Sequence, residues 1–209
     1  SSDAADANVS ELSLTSDFQM GKLHQMPLPA SEQLSVKQRD YPSENSVEWQ
    51  VRLKAPATGD TSIVDNALSA DFAVQFPTEK SVTLHWSKGS HAEASDFLPR
   101  QESLSASTPF VLESFGGRSS DGVMPYFNLA TEGGGLILAV GWPGDWKASF
   151  ESLAAGRVRI TAGLKHTRLK VGVNEHLRLP SVLVMSYRGE WLDGQNQFRK
   201  LMLKHFTPS

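Results

Sequence analysis

Cysteine is absent from this 209-residue chain, and with it go disulfides, thiolate metal sites and cysteine nucleophiles. That absence leaves the compartment open, because many secreted bacterial proteins also lack cysteine; a periplasmic or extracellular location is favoured over the cytoplasm. Long apolar runs are missing too. None approaches the roughly 18–20 residues that a helical membrane span needs, so no membrane is expected among the partners. Nor is there an excess of charge of one sign: 20 Lys and Arg stand against 23 Asp and Glu, for a formal net charge of -3. The basic footprint of a nucleic-acid binder is therefore not there, and no nucleic acid is expected as a partner. With 16 Gly and 11 Pro, the chain has too little of either for a collagenous or low-complexity polymer. Residues 1–7 (SSDAADA) are small and polar and are expected to form a disordered tail.

Motifs that carry chemistry are also sparse. The six histidines, His24, His85, His91, His166, His176 and His205, include no i, i+4 pair and no HExxH, so no metal site is expected. No GxSxG elbow, GxxxxGK[ST] loop or GxGxxG fingerprint occurs, and no cofactor is expected. Gly133-Gly134-Gly135 follows Glu132 and precedes a strand, which fits a hairpin turn. Gly116-Gly117-Arg118-Ser119-Ser120 fits a structural turn or an anion contact through backbone amides and Arg118.

What the chain does have is alternation. Val47, Trp49, Val51 and Leu53 fall on one face of 46–54, and Glu48, Gln50, Arg52 and Lys54 on the other, the pattern of a half-buried antiparallel strand. Similar segments recur at 71–76, 81–86, 110–115, 124–130, 136–140, 147–153, 157–162 and 177–187, separated by glycine-bearing connections. Many short strands with turns at this spacing predict a mainly β fold, a sandwich of two antiparallel sheets over residues 8–192. There is no strand–helix alternation of the Rossmann or barrel kind. The period changes once. Over 193–208, Phe198, Leu201, Met202, His205 and Phe206 recur at helical intervals, with Asp193 as the expected N-cap and Pro208 as the stop. An exposed apolar patch is expected around Phe198, Met202 and Phe206 or on a sheet face.

Aromatic residues are the remaining signal. Gly141-Trp142-Pro143-Gly144-Asp145-Trp146 sets two indoles in a glycine-bracketed loop, and Trp86 and Phe97 flank another, 85–99. Indole faces stack on sugar C–H faces while a carboxylate such as Asp145 or Asp96 accepts hydroxyl hydrogen bonds. The competing role for each tryptophan is to fill the sandwich core.

Several local series, taken in order, carry a resemblance. They are Gly117-Arg118-Ser119-Ser120, Met124-Pro125-Tyr126-Phe127 and the stretch 135–146 that ends Gly141-Trp142-Pro143-Gly144-Asp145-Trp146. Upstream stand Leu84-His85-Trp86-Ser87-Lys88-Gly89-Ser90 and Asp96-Phe97-Leu98-Pro99; downstream stand 194–200 and His205-Phe206-Thr207-Pro208. In this order they resemble the N-terminal region of family 36 glycoside hydrolases, the α-galactosidase family, over residues 45–208. Pro143 stands where that family usually has serine, and 172–176 where it commonly has a Pro-Gly-Glu turn.

The resemblance implies a large antiparallel β-supersandwich with one C-terminal helix, leading towards an absent (β/α)8 catalytic barrel. In the family, barrel aspartates act as nucleophile and acid/base in a retaining mechanism. Neither has a matching position here, so no catalytic residue is carried over. Loops of the family's N-terminal domain can approach the galactose pocket, sometimes that of a neighbouring subunit, which makes Asp96, Phe97, Trp142 and Trp146 the expected substrate-binding residues. The expected partners are an α-galactoside met through the parent enzyme, the catalytic barrel and a further copy in a homo-oligomer. The chain alone is expected to be inactive. Two other readings stand beside this one, a free-standing carbohydrate-binding module and a purely structural interaction domain.

Overall fold

The computed structural model describes residues 19–20, 33–78, 81–104 and 108–208; the tail expected over 1–7 and the histidine His24 lie outside them. The elements in chain order are β1 (Gln19–Met20), β2 (Gln33–Tyr41), β3 (Ser46–Lys54), β4 (Val64–Asp65), β5 (Leu68–Gln75), β6 (Thr83–Ser87), β7 (Pro99–Ser103), β8 (Phe110–Glu113), β9 (Tyr126–Thr131), β10 (Gly134–Gly141), β11 (Trp146–Ala154), β12 (Arg157–Leu164), β13 (Arg168–Leu169), β14 (His176–Arg188) and α1 (Trp191–His205). The fold is mainly β, as the alternation predicts. Two antiparallel sheets face each other, a five-stranded one in the order β1-β5-β12-β11-β8 and a seven-stranded one in the order β2-β3-β14-β10-β9-β6-β7. The short pair β13-β4 forms a third.

Inward side chains of both sheets make the main core. Trp49, Phe72, Val74, Phe127, Leu136, Leu138, Trp146, Phe150, Ile160, Val182 and Val184 all belong to it, each fully buried large apolar side chain contributing about 1.5–3 kcal/mol. The seven-stranded sheet is covered on its second face as well. Ile137 of β10 and Leu183, Met185 and Tyr187 of β14 point the other way and pack with Phe198 and Leu201 of α1. This is why 135–140 reads as an unbroken apolar run, without the alternation of β3: its two faces meet two different cores.

The helix is fastened at both ends. At its start Glu190 is the N-cap and Asp193 the third residue, whose carboxylate accepts the Glu190 N–H at 2.8 Å. Asp193 therefore works inside the capping box, and the helix begins at Trp191 rather than after 193. The buried Asn128 amide donates to the Trp191 carbonyl at 3.0 Å and accepts the Tyr187 hydroxyl at 2.7 Å. The Trp191 indole stacks on His85 with centroids 4.5 Å apart. At its end Lys204 and His205 reach Glu44 at 2.6 and 3.4 Å. The Lys204 hydrogen bond, with that of Ser43, holds the Glu44 carboxyl at about 2.

The expected apolar patch is only partly as the helical period suggests. Phe198 is 9% exposed and lies with its ring centroid 5.5 Å from that of Tyr126, so it is core. The exposed apolar residues of the helix are Leu192, Met202 and Leu203, continued by Phe206 just beyond it. Tyr187 sits where two glycines let it approach. A Cβ on Gly135 would stand 2.3 Å from its hydroxyl, and one on Gly194 would stand 2.5 Å from its ring. Gly194→Ala brings about 1 kcal/mol of helix propensity against an overpacking cost of about 1–3 kcal/mol. The expected result is a net loss of stability in urea unfolding; a gain would show that the Tyr187 ring can yield.

Candidate functional site

Three loops meet beside one another at the strand ends. The first joins β6 to β7. Its neck is closed by Lys88 N–H donating to the Leu98 carbonyl at 3.1 Å and the Ser87 hydroxyl donating to the Phe97 carbonyl at 3.0 Å. Inside the neck the Asp96 carboxylate accepts the backbone N–H of His91 at 3.0 Å, that of Glu93 at 3.2 Å and the Ser90 hydroxyl at 3.4 Å. Burial works to raise the Asp96 pKa, and these donors outweigh it, so the carboxyl titrates below its ordinary value. Two non-glycine residues of this loop, Ala92 and Phe97, take left-handed backbone at φ 60 and 61, a strain of about 1–3 kcal/mol each. Phe97 is 60% exposed and Leu98 beside it is exposed too.

The second loop, 114–123, joins β8 to β9. It runs against the first: Gly89 N–H donates to the Gly122 carbonyl at 3.0 Å and Ser90 N–H to the Ser120 carbonyl at 2.9 Å. The approach is so close that a Cβ on Gly89 would stand 1.9 Å from the Ser120 oxygen. Asp121 is the charged centre of this contact. Its carboxylate, 3% exposed, accepts from the Arg118 guanidinium and from His91 Nδ1, the latter at 2.7 Å. The His91 bond and then Arg118 draw its pKa down against burial. His91 is in turn held above its ordinary value, by the bond to Asp121 first and by that carboxylate's charge second.

The third loop joins β10 to β11 and leans on the second. Asp145 accepts the Gly117 N–H at 2.9 Å, and the Trp146 indole N–H donates to the Ser119 carbonyl at 2.6 Å. The glycine-rich turn thus gives its Gly117 amide to Asp145 and the Arg118 guanidinium to Asp121, which accounts for Gly116-Gly117-Arg118 as a turn. Trp142 is half-buried, packed against the main core with the Arg178 guanidinium 5.6 Å from its ring, within cation–π reach.

Three of the residues expected at a sugar contact, Asp96, Phe97 and Trp142, reach the surface in these loops. Trp146 is 0% exposed, its ring packed edge-on to Phe127 at 5.5 Å. It opens β11 on the same face as Ala148 and Phe150, so its indole fills the sandwich core and presents no face to a ligand. Asp96 is committed to its own loop. The residues that sequence reasoning passed over are His91 and Asp121, 30 positions apart, whose pairing follows only from the bridge that joins Ser90 to Asp121. A separate groove of about 330 Å³ lies on the outer face of the five-stranded sheet over Ser149 and Thr161. It contains no aromatic residue, and its Arg159 is already paired with Asp71 at 2.8 Å.

No protein-family model matches the chain, and no curated protein matches its sequence. Solved structures do. A variant of the α-galactosidase AgaA from Geobacillus stearothermophilus, in complex with raffinose, superposes at a TM-score of 0.56 with 16% identity, over 83% of this chain and 27% of that one. AgaB from the same organism gives 0.55 and 16%, over 83% and 24%. The α-galactosidase from Lactobacillus brevis gives 0.52 and 14%, over 88% and 28%. The fold is that of a part of the family 36 α-galactosidases. The chain spans about a quarter of the length of these enzymes, and at such identities the likeness is one of fold. Of the segments that carry the resemblance in sequence, 84–90, 96–99, 117–120 and 141–146 lead into or lie in the three loops, while 124–127 leads into β9, 135–141 forms most of β10, and 194–200 and 205–208 lie on and just beyond α1.

Asp96→Ala removes the acceptor shared by His91 and Glu93. A broad-specificity protease is expected to cleave within 90–98 several-fold faster while cooperative unfolding of the sandwich stays close to wild type. Unaltered cleavage would mean that other contacts order the loop.

Proposed function

We propose that this chain is the N-terminal β-supersandwich domain of an α-galactosidase-like glycoside hydrolase. In that role it carries none of the catalytic groups. It supports a (β/α)8 barrel, and its three-loop cluster forms part of the wall of a galactoside site, in the same subunit or a neighbouring one. The observation that carries this reading is the exposed Phe97 ring held on strained backbone among loops that four of the family-like segments enter. A phenyl face offers a sugar an apolar surface that excludes water, and the half-exposed Trp142 edge in the third loop offers another. Asp96 serves the site by fixing its own loop. The exposed apolar residues Leu192, Met202 and Leu203 of α1, with Phe206 just beyond it, are the surface offered to the barrel.

In the parent enzyme, Phe97→Ala is expected to raise KM for raffinose about 5- to 30-fold, the equivalent of about 1–2 kcal/mol for a stacked aromatic, with kcat nearly unchanged. This chain by itself is expected neither to hydrolyse an aryl α-galactoside nor to bind raffinose saturably at millimolar concentration. Turnover by the chain alone would overturn the non-catalytic assignment. Saturable binding lost in Trp142→Ala would establish instead a free-standing carbohydrate-binding module.

A further inference from the structure

Phe97 faces an energetic problem that its own loop does not solve. The ring is mostly exposed and its backbone is left-handed, so neither burial nor intrinsic preference favours the conformation seen. What restrains the loop from outside is its contact with 114–123. Part of that contact is backbone, from Gly89 and Ser90. The rest is a side-chain bond, His91 Nδ1 to Asp121 at 2.7 Å. His91 is doubly placed: its side chain grips Asp121 in the neighbouring loop, and its backbone N–H is held by Asp96, the residue immediately before Phe97.

We infer that His91 is a positioning residue for Phe97, tethering the β6–β7 loop to the buried Asp121 carboxylate so that the ring is presented in one orientation, most firmly in mildly acidic solution. This inference rests on the reading of Phe97 as a sugar-facing residue. A carboxylate only accepts, so Nδ1 carries the proton in every state that keeps the bond. With His91 neutral the bond is an ordinary one; with His91 protonated it is charge-assisted and stronger. The groups facing the imidazole are Asp121 and its partner Arg118 from the second loop, and Glu93 and Asp96 from its own, with Lys88 bonded to Glu93. The carboxylates favour the imidazolium. Arg118 opposes it but is bound to the same Asp121.

The sign follows from the directions of the two shifts. A histidine whose folded pKa is raised contributes stability that is fully present below its unfolded value near ~6.5 and is lost as pH rises through the folded value. Asp121, whose folded pKa is lowered, contributes stability present above its unfolded value and lost as pH falls through the folded one. The tether is therefore strongest between the depressed pKa of Asp121 and the raised pKa of His91.

The test places a single fluorinated phenylalanine at Phe97 in this chain and follows its fluorine resonance, with the His91 ring proton, from about pH 5 to about pH 8, where histidines titrate. In the wild type the resonance should shift with the His91 midpoint, and that midpoint should lie above ~6.5. In His91→Gln, whose amide can still donate to Asp121 without titrating, the resonance should stay constant over the range. In Asp121→Asn the His91 midpoint should fall back towards its ordinary value. Should Asp121→Asn fail to fold, His91→Gln carries the test. A Phe97 resonance that stays fixed while His91 titrates, or one that keeps its pH profile in His91→Gln, overturns the tether. A second arm adds raffinose to the labelled parent enzyme. If the resonance follows His91 but ignores the sugar, the tether stands and the galactoside reading of Phe97 falls.

Discussion

The structure depends on two central strands, β10 and β14, that are dry on both faces. In β10 and β14 successive side chains point to different cores: Leu136, Leu138, Val182 and Val184 towards the five-stranded sheet, Ile137, Leu183 and Met185 towards α1. A strand buried on both sides cannot slip by one residue without exchanging two sets of packed neighbours, so its register is fixed more firmly than that of a half-exposed strand. The requirement extends to the helix, since without α1 the second set would face water. Asn128 joins the two layers through one side chain, bonding the Tyr187 hydroxyl of β14 and the Trp191 carbonyl of α1. An amide buried that deeply has to have both its ends satisfied, and it finds them only when helix and sheet are both in place.

That fixed register sets the roots of the three loops. β9 and β10 form the hairpin at Thr131–Gly134, and β10 then runs to Gly141, where the third loop begins. β6 pairs with β9 and leads into the first loop. The loops thus span rigid ends, and they add their own restraints: backbone bonds at Gly89 and Ser90, carboxylate caps at Asp96 and Asp145, and the shared Asp121. A buried carboxylate costs much to desolvate unless it is paired and bonded. Asp121 is paired twice, by groups that are themselves largely in solvent, an arrangement that lets the aqueous surroundings tune a contact whose centre is dry.

Much of this was legible in the sequence, for reasons that are local. β3 declares itself by alternation, β10 by an apolar run between glycines, and the helix by a change of period near 193. β7 did not, because Pro-Arg-Gln-Glu-Ser at 99–103 is polar throughout; as the outermost strand of its sheet it buries neither face, and an edge strand needs no apolar signal. The layering of α1 on β10 and β14 is a long-range fact that no window of sequence holds. The same division runs through the site. Phe97 and Trp142 are singled out because aromatic residues in glycine-rich loops stand out and because their segments resemble a known family; the structure shows that both reach the surface. Trp146 stood out equally, yet its parity with Ala148 and Phe150 along β11 turns it inward. His91 and Asp121 have no motif; they are partners only because two loops lie side by side.

Strain, exposure and restraint coincide at Phe97. A phenylalanine at φ 61 with 60% of its surface in water contributes little to the stability of this domain, since its backbone is disfavoured and its ring is poorly buried. Yet the bonds at Ser87, Lys88, Asp96 and His91 all act to hold its loop in this shape. Restraints of that number around a side chain that the fold does not use are what preorganisation for an external surface requires, because a ring already fixed loses less entropy when a ligand closes over it. The buried aromatics Phe127, Trp146 and Phe150 show the contrast within the same molecule: each has regular strand backbone, full burial and aromatic neighbours. They are there for the sandwich. Phe97 differs from them on both counts, with left-handed backbone and 60% of its surface in water.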